Sequence, residues 1–264
     1  MTTNAVKTAI VTGASSPFGA AYALRLAERG YVPVLVGRAE GRLEDVAASI
    51  ARQTGVTAEV LVADLTSSQD VERLEGWLRT DESVEFLVNA AGAAVFAPSP
   101  GFDTAATEQM IALNVIAATR LTTAALAGLT ARGRGTVVNV SSAMAFWHQP
   151  VSSVYSATKS YVLTFSQALQ QELAGSGVTV QVVVPGAMRT EFWDGSGIDI
   201  SVFSDEYLMS PEVAVDAALA GLDAGEVVTI PSLADIGSWE DYEKARGVLA
   251  PILSRDVPAE RYRR

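Results

Sequence analysis

The sequence predicts an α/β domain in which a mostly parallel, seven-stranded sheet lies between two layers of helices, a doubly wound, three-layer α/β/α fold. Seven short apolar segments recur along the chain: VKTAIVT, VPVLVG, AEVLVA, EFLVNA, GTVVNV, VTVQVVV and EVVTI. They are continuous apolar runs rather than alternating ones, which is typical of strands buried on both faces. Helical patterns separate them, and this alternation of strand and helix indicates a doubly wound sheet.

The elements follow one another in that order. VKTAIVT precedes the helical pattern AAYALRLAERG, VPVLVG precedes GRLEDVAASIARQ, and AEVLVA precedes SQDVERLEGWLR. The last two helices open with polar or acidic first turns, as helix starts do. An insertion at 190–211 and a helical-looking tail at 237–264 depart from the alternation and are candidate lids or subunit contacts. A length of 264 residues suits one domain, so we predict a single domain over 1–264.

Composition argues against several classes of function. The chain has no cysteine and one histidine, His148, so it has neither disulfides nor a multi-histidine metal site, and we predict no metal. The formal net charge of -11 disfavours nucleic acid as a partner, and we interpret the terminal RYRR as a solvated tail. We find no signal peptide and no apolar run long enough for a membrane span, and therefore expect a cytoplasmic protein without a membrane partner.

A glycine-containing turn, TGASSPFG, joins the first strand to its helix. Such a turn binds pyrophosphate, because the helix offers unpaired amides and the positive end of its dipole. Gly13 permits the tight turn, Gly19 lets the helix approach the strand, and Ser15 and Ser16 add hydroxyl donors. Pro17 removes one amide but suits the first helical position, so we predict a dinucleotide site in which the Phe18 amide faces the phosphate. A plain strand-to-helix turn is the alternative.

The end of the second strand predicts which dinucleotide binds. VLVGRAEGRL places Gly37 and Arg38 there, without a carboxylate for the 2′-hydroxyl of NAD. A guanidinium suits a 2′-phosphate, so we predict that NADP(H) is preferred over NAD(H). The alternative is that Arg38 only ends the strand in solvent.

The segment from 136 to 163 contains three residues whose side chains are suited to acid–base catalysis. Tyr155 and Lys159 are four residues apart on a predicted helix and so lie on one face of it. An ammonium roughly 5 Å from the phenol would lower the tyrosine pKa by about two units from its usual value near 10. Ser142, at the end of the preceding strand, can donate a hydrogen bond to a carbonyl oxygen that gains negative charge. We therefore predict Tyr155 as acid, Lys159 as pKa tuner and Ser142 as oxygen anchor.

A fourth polar residue, Asn114, lies inside the otherwise apolar helical pattern MIALNVIAATRL. An asparagine there costs helix stability and must find hydrogen-bond partners. A structural role, in which it kinks the helix around a water, is therefore an alternative to a functional role.

Taken in order, these motifs resemble those of the short-chain dehydrogenase/reductase family, in its short branch with a single Rossmann-type domain. TGASSPFG resembles the family's TGxxxGxG, NAAG at 89–92 its NNAG, YSATK its YxxxK, and VPGAMRT at 184–190 its PGxxxT. The resemblance covers nearly the whole chain. It implies that Tyr155 is the general acid, that Lys159 lowers its pKa and binds the nicotinamide ribose, that Ser142 orients the carbonyl, and that Asn114 holds a water in a proton relay.

The resemblance also implies cofactor contacts, and dimers or tetramers of identical chains. The implied contacts at the adenine, in NAAG and in the nicotinamide segment are Asp64, Leu65, Asn89, Ala90, Ala91, Pro185, Gly186, Met188 and Thr190. Two positions depart from the family pattern: Pro17 replaces the middle glycine and Ala90 replaces the second asparagine. Both departures concern cofactor binding rather than the chemistry.

The predicted reaction moves a hydride between NADPH and a ketone or secondary alcohol. Apolar and aromatic side chains near the site favour an apolar or aromatic ketone over a phosphorylated sugar, and they are Val95, Phe96, Phe146, Trp147, His148, Phe192 and Trp193. His148 is more often a loop residue than a catalyst. Two alternatives remain: a sugar-nucleotide epimerase or dehydratase, for which little C-terminal chain is left, and a non-catalytic NADP(H)-binding redox sensor, which needs no tuned phenol.

Overall fold

Seven parallel strands form the sheet of the computed structural model, which describes residues 6–263. They are β1 (Thr8–Thr12), β2 (Val32–Gly37), β3 (Glu59–Val62), β4 (Val84–Asn89), β5 (Gly135–Val140), β6 (Val178–Val183) and β7 (Val228–Thr229). Their order across the sheet is β3-β2-β1-β4-β5-β6-β7. The order reverses between β1 and β4, and the crevice beyond the carboxyl ends of these two strands is where doubly wound sheets bind ligands.

Helices cover both faces of the sheet. In chain order they are α1 (Pro17–Glu28), α2 (Glu40–Thr54), α3 (Ser68–Thr80), α4 (Thr104–Ile111), α5 (Ala118–Arg132), α6 (Ser153–Glu172) and α7 (Pro211–Asp223). One apolar core joins the sheet to α1, α2 and α7 through side chains such as Tyr22, Ile50 and Leu219. A second core lies on the opposite face and includes Leu74 and Leu121. The predicted three-layer fold is confirmed, with a sheet that is parallel throughout.

The two edge strands differ from the interior ones. All five residues of β1 are buried, whereas both ends of β3, Glu59 and Val62, are exposed. The prediction that the apolar runs are buried on both faces is therefore wrong for β3, because an edge strand has a neighbour on one side only. β7, at the other edge, pairs with β6 through only Val228 and Thr229.

A single helical run, Thr104–Arg132, contains α4, a π-helical segment from Ala112 to Ala117, and α5. Within the described residues it is the one helix long and apolar enough to cross a membrane by length and composition. A core helix passes the same test, and α5 buries Leu121 and Leu129 in the second core. The π-helical segment contains Asn114, so the helix is irregular where its sequence predicted a kink.

The chain divides into two compact units after Pro231, and most of the predicted tail lies in the second. This second unit contains α8 (Gly237–Leu249) and two short 3₁₀ turns, Ala250–Ile252 and Glu260–Tyr262. None of its described residues is fully buried.

Candidate active site

The loop between β1 and α1 is shaped by two glycines. Gly13 has φ +67°, and a Cβ there would lie 2.8 Å from the Cα of Ala91. A Cβ on Gly19 would lie 2.3 Å from the carbonyl oxygen of Gly13. Both contacts are with backbone atoms that cannot move aside, so the close packing of this loop requires glycine at both positions.

The predicted donors of this loop differ in what they still offer to a phosphate. Ser16 is the N-cap of α1: its Oγ accepts from the amide of Gly19 at 3.1 Å and donates to the carbonyl of Gly13 at 2.8 Å. The hydroxyl hydrogen is therefore donated to Gly13, and a hydrogen bond from Ser16 to a phosphate would have to replace that bond. Pro17 begins α1, as expected. The hydroxyl of Ser15 has no hydrogen-bond partner among the described residues, so it remains available.

Phe18 contributes only its backbone to this site. Its ring is buried and meets Tyr22 edge-on, with 5.2 Å between the centroids. Its amide lies in the first turn of α1, where N–H groups have no intrahelical acceptor, and it has no partner in the described part of the chain. One free amide therefore remains beside Pro17.

The carboxyl ends of β2 and β3 form the neighbouring part of the crevice. Arg38 is exposed and makes no ion pair with any described residue. Asp64 accepts hydrogen bonds from the amide and the hydroxyl of Thr66, at 2.9 and 2.8 Å. The Thr66 amide lowers the pKa of the Asp64 carboxyl, and attraction from Arg38 lowers it further. Leu65 beside it is buried.

The NAAG segment supports the crevice mainly through its backbone. The side-chain amide of Asn89 donates to Thr122 Oγ1 and to Asn139 Oδ1, both at 2.9 Å, in a buried network. Both hydrogens of the Asn89 side-chain amide are therefore engaged, which leaves its Oδ1 and its backbone atoms for other partners. The amide of Ala91 donates to Thr12 Oγ1 at 3.2 Å, and Ala90 packs at the edge of the first core.

Helix α6 and the end of β5 bring the three predicted catalytic residues together. The Nζ of Lys159 donates to the carbonyl of Val140 at 3.0 Å and lies 5.8 Å from the centre of the Tyr155 ring. Ser142 lies close enough to the Tyr155 phenol to lower its pKa, and its Oγ accepts from the amide of Met144 at 3.2 Å. Tyr155 and Lys159 are both 5% exposed, so the pair lies in a nearly dry environment.

Burial governs the protonation of this pair. It raises the pKa of Tyr155 to about 12, and the nearby side chain of Ser142 offsets part of that rise. Burial also lowers the pKa of Lys159 to about 8. The prediction that the Tyr155 pKa lies below its ordinary value is wrong for this structure, because removal from water disfavours both the phenolate and the ammonium.

Asn114 ties the loop after NAAG to α6. Its Oδ1 accepts from the amide of Ala93 at 2.9 Å, and its Nδ2 donates to the carbonyl of Ala93 at 2.9 Å and to Thr158 Oγ1 at 3.1 Å. Both hydrogens of the side-chain amide are thus engaged. A water in the predicted relay would have to bind another atom of this residue.

Aromatic rings form a wall beside Tyr155. The Phe96 ring meets it edge-on at 5.2 Å, and the Phe192 ring lies 6.0 Å away. Trp193 stacks on Phe96 at 6.3 Å and donates from its indole N–H to the carbonyl of Met188 at 2.9 Å. Val95 belongs to the same cluster. Four of the predicted pocket residues therefore converge on the phenol.

Three of the predicted pocket residues lie outside this cluster. Trp147 is 68% exposed and His148 is exposed. Phe146 is half-buried. The cluster also contains residues that were not predicted, namely Ala94, Met110, Met144, Val154 and Ile198. Phe203, 4.9 Å from Trp193, was also missed, although it lies in the predicted insertion.

The predicted nicotinamide segment follows β6. The carbonyl of buried Pro185 accepts from the amide of Ala143 at 2.9 Å, which fixes this segment beside Ser142. A Cβ on Gly186 would meet no atom within 4 Å, so the chain is open there. Thr190 Oγ1 accepts from the amide of Phe192 at 3.3 Å and begins the 3₁₀ turn Glu191–Trp193.

These residues fit a nicotinamide dinucleotide. The loop between β1 and α1 is closely packed through its glycines and leaves the amide of Phe18 free, and the backbone at Gly186 is open. The ammonium of Lys159 donates to one protein acceptor and so has two further hydrogens for a ligand. Within the described range, no group of three or more His, Asp or Glu side chains could hold a metal ion.

Comparison with known proteins agrees with this geometry. The family model described as short chain dehydrogenase matches residues 7–199. A solved short-chain dehydrogenase from Sphingobium yanoikuyae in complex with NADPH is 40% identical, with a TM-score of 0.93 over 98% of this chain and 100% of that one. The bulky-bulky ketone specific alcohol dehydrogenase from Comamonas testosteroni is 36% identical, with a TM-score of 0.88 over 98% of this chain and 99% of that one.

A curated relative covers less of the chain. The very-long-chain 3-oxoacyl-CoA reductase of Anas platyrhynchos is 34% identical over 189 residues, which is 69% of this chain. The match spans only 60% of that relative's own length.

Proposed function

The chain belongs to the short-chain dehydrogenase family, and from that premise we propose that it is an NADPH-dependent carbonyl reductase for bulky apolar or aromatic ketones. The observation that carries this proposal is the wall of rings around a buried Tyr155 that lies beside Lys159 and next to Ser142. The proposed acid Tyr155, the proposed oxygen anchor Ser142 and an apolar surface therefore lie next to one another.

When bound, the nicotinamide supplies a hydride to the carbonyl carbon, or removes one from the alcohol in the reverse direction. Tyr155 donates its phenolic proton to the carbonyl oxygen, and Ser142 donates a hydrogen bond to that oxygen as negative charge develops. A pKa of about 12 keeps the phenol protonated at neutral pH, as a proton donor in ketone reduction must be. Lys159, with a pKa of about 8, is largely protonated at pH 7 and stabilises the phenolate that forms.

NADP(H) is the proposed cofactor. Arg38 follows β2, where family members that prefer NAD would need a carboxylate, and its guanidinium suits a 2′-phosphate. The neighbour from Sphingobium yanoikuyae is an NADPH complex, which supports the same choice. Gly13, Phe18, Lys159 and the segment from Pro185 to Thr190 would hold the rest of the dinucleotide.

Bulky ketones are the proposed substrates. Phe96, Phe192 and Trp193 offer extended apolar faces close to the phenol. The Comamonas testosteroni neighbour is described as specific for bulky-bulky ketones, which supports this class. The proposed assembly is a homodimer or homotetramer, as is usual in the family.

The test is a panel of ketones of increasing size, with NADPH oxidation followed by absorbance in the wild type and in Phe96→Ala. We expect kcat/KM to rise with apolar bulk in the wild type, and to fall for aromatic ketones by roughly ten-fold in Phe96→Ala, because a buried ring is lost. Trp147→Ala is the matched control, since this exposed aromatic lies outside the wall. NADPH binding without oxidation on any ketone would favour the redox-sensor alternative.

A further inference from the structure

We propose that Arg42 is a second arginine for the 2′-phosphate of NADP(H), and that Glu191 competes with this phosphate for it. Glu191 lies in the insertion at 190–211, which we call the substrate loop. This inference rests on the proposed function, because it assumes a dinucleotide with a 2′-phosphate in the crevice. It adds a cofactor-recognition residue and a physical link between cofactor choice and the loop that covers Tyr155.

The first turn of α2 lies at the phosphate end of the crevice. A Cβ on Gly37 would lie 3.2 Å from the Oγ of Ser15 and 3.3 Å from the Cδ2 of Leu43. The end of β2, the phosphate loop and the first turn of α2 therefore meet at Gly37. Arg42 immediately precedes Leu43, and Arg38 immediately follows Gly37, so both guanidinium groups start from this junction.

Arg42 already binds an anion. Its Nη1 lies 2.7 Å from Oε2 of Glu191, and each of the two side chains is 61% exposed. An ion pair this exposed contributes little to stability, because water and salt screen it. A phosphate carries more charge than a carboxylate and accepts paired hydrogen bonds from a guanidinium, so it can displace Glu191.

The first turn of α2 adds a further attraction for an anion. Ala39, its N-cap, has no side chain that accepts from the first-turn amides. A phosphate near Arg42 would thus meet the positive end of a 15-residue helix whose first turn lacks a side-chain cap, with the carboxylate of Glu40 in that turn offsetting part of the attraction.

Glu191 connects this end of the crevice to the phenol. It is the first residue of the 3₁₀ turn that carries Phe192 and Trp193, and the Phe192 ring lies 6.0 Å from that of Tyr155. Thr190, the N-cap of this turn, is a predicted nicotinamide contact. Release of Glu191 from Arg42 removes one anchor of the loop over the active site, so NADPH would loosen this loop where NADH would not.

The test is fluorescence titration with NADPH and with NADH, which reads binding without turnover. We expect Arg42→Gln to raise the Kd for NADPH by about five-fold or more while that for NADH stays within about two-fold, because a charged phosphate contact is lost. Glu191→Gln should lower the Kd for NADPH by about two- to five-fold, because Arg42 no longer has a competitor. In the Arg42→Gln background, Glu191→Gln should have no further effect.

Asp205→Asn is the matched control, because it breaks another exposed pair on the same loop, Arg189–Asp205 at 2.9 Å. It should leave both dissociation constants unchanged. If the wild type prefers NADPH and the Kd of Arg42→Gln for NADPH is unchanged, the role of Arg42 is overturned while the proposed cofactor stands. A wild type that binds NADH better, or binds neither dinucleotide, would overturn the proposed cofactor and this inference together.

Discussion

Tyr155 is the proposed general acid, and its surroundings determine the form in which it acts. It is 5% exposed, and two aromatic rings lie within about 6 Å of its own. A phenol in such surroundings resists ionisation, so Tyr155 is protonated at neutral pH, as a proton donor to a ketone must be. The same rings form the apolar surface on which the proposed substrate class rests.

Lys159 makes folding stability depend on pH in a predictable direction. Its folded pKa of about 8 lies below the ordinary value of 10.5, so between these values the unfolded chain binds a proton that the folded chain has released. Stability therefore rises with pH across this window, by on the order of 3 kcal/mol in all. The opposite contribution of Tyr155, whose pKa is raised, begins only above about pH 10.

Thermal or urea unfolding of the wild type and of Lys159→Met at intervals from pH 7 to pH 10 measures this linkage. We expect the wild type to gain stability relative to the variant as the pH rises, because the buried ammonium is progressively neutralised. Parallel stability curves would show that Lys159 does not titrate in this window.

The proximity of Ser142, Tyr155 and Lys159 could be predicted from the sequence because their relative positions depend on local structure. Tyr155 and Lys159 share a helix face through their spacing, and Ser142 follows a strand whose end is fixed by the sheet. Trp147 and His148 could not be judged this way, because the direction of a loop depends on tertiary contacts. The engagement of the Ser16 hydroxyl in capping α1 was open to prediction, since serine before a proline-initiated helix is a recognised N-cap pattern.

At the scale of elements, the junction of β1 and α1 is the most constrained part of the crevice. Gly19 brings the first turn of α1 against the carbonyl of Gly13, and Gly13 lies against Ala91 beyond β4. The phosphate loop is thereby locked between two neighbouring strands. Pro17 fits because it needs no amide partner at the first helical position.

Gly19→Ala tests this junction. Its Cβ would lie 2.3 Å from the carbonyl oxygen of Gly13, so we expect a loss of about 1 to 3 kcal/mol in the free energy of unfolding and weaker NADPH binding. Gly41→Ala is the matched control: a Cβ there meets nothing within 4 Å, and alanine should stabilise α2 by up to about 1 kcal/mol. Urea unfolding and NADPH titration measure both effects, and a Gly19→Ala protein as stable as the wild type would contradict the account of the loop.

The number of strands and their alternation with helices along the chain could be predicted because continuous apolar runs are separated by helical patterns. The limits of the edge strands could not be predicted. Both ends of β3 are exposed, and β7 has only two paired residues. An edge strand has one neighbour, so its length depends on that neighbour and not only on its own residues. The π-helical segment around Asn114 likewise depends on Ala93 and Thr158, which are distant in the sequence.

At the scale of the whole molecule, the solved neighbours and the curated relative cover different shares of this chain. The Sphingobium yanoikuyae and Comamonas testosteroni structures match 98% of it, whereas the match to the 3-oxoacyl-CoA reductase of Anas platyrhynchos covers 69%. The two solved structures can therefore be compared with this chain over nearly its full length.

The most direct test of the account compares the wild type with Tyr155→Phe, through NADPH fluorescence titration followed by absorbance during incubation with a bulky aromatic ketone. We predict similar NADPH binding in both proteins, and a kcat at least about 100-fold lower in the variant, because only the proton donor is removed. Tyr161→Phe, on the same helix but 40% exposed, should behave as the wild type. Undiminished turnover in Tyr155→Phe would contradict the central claim that this phenol is the general acid.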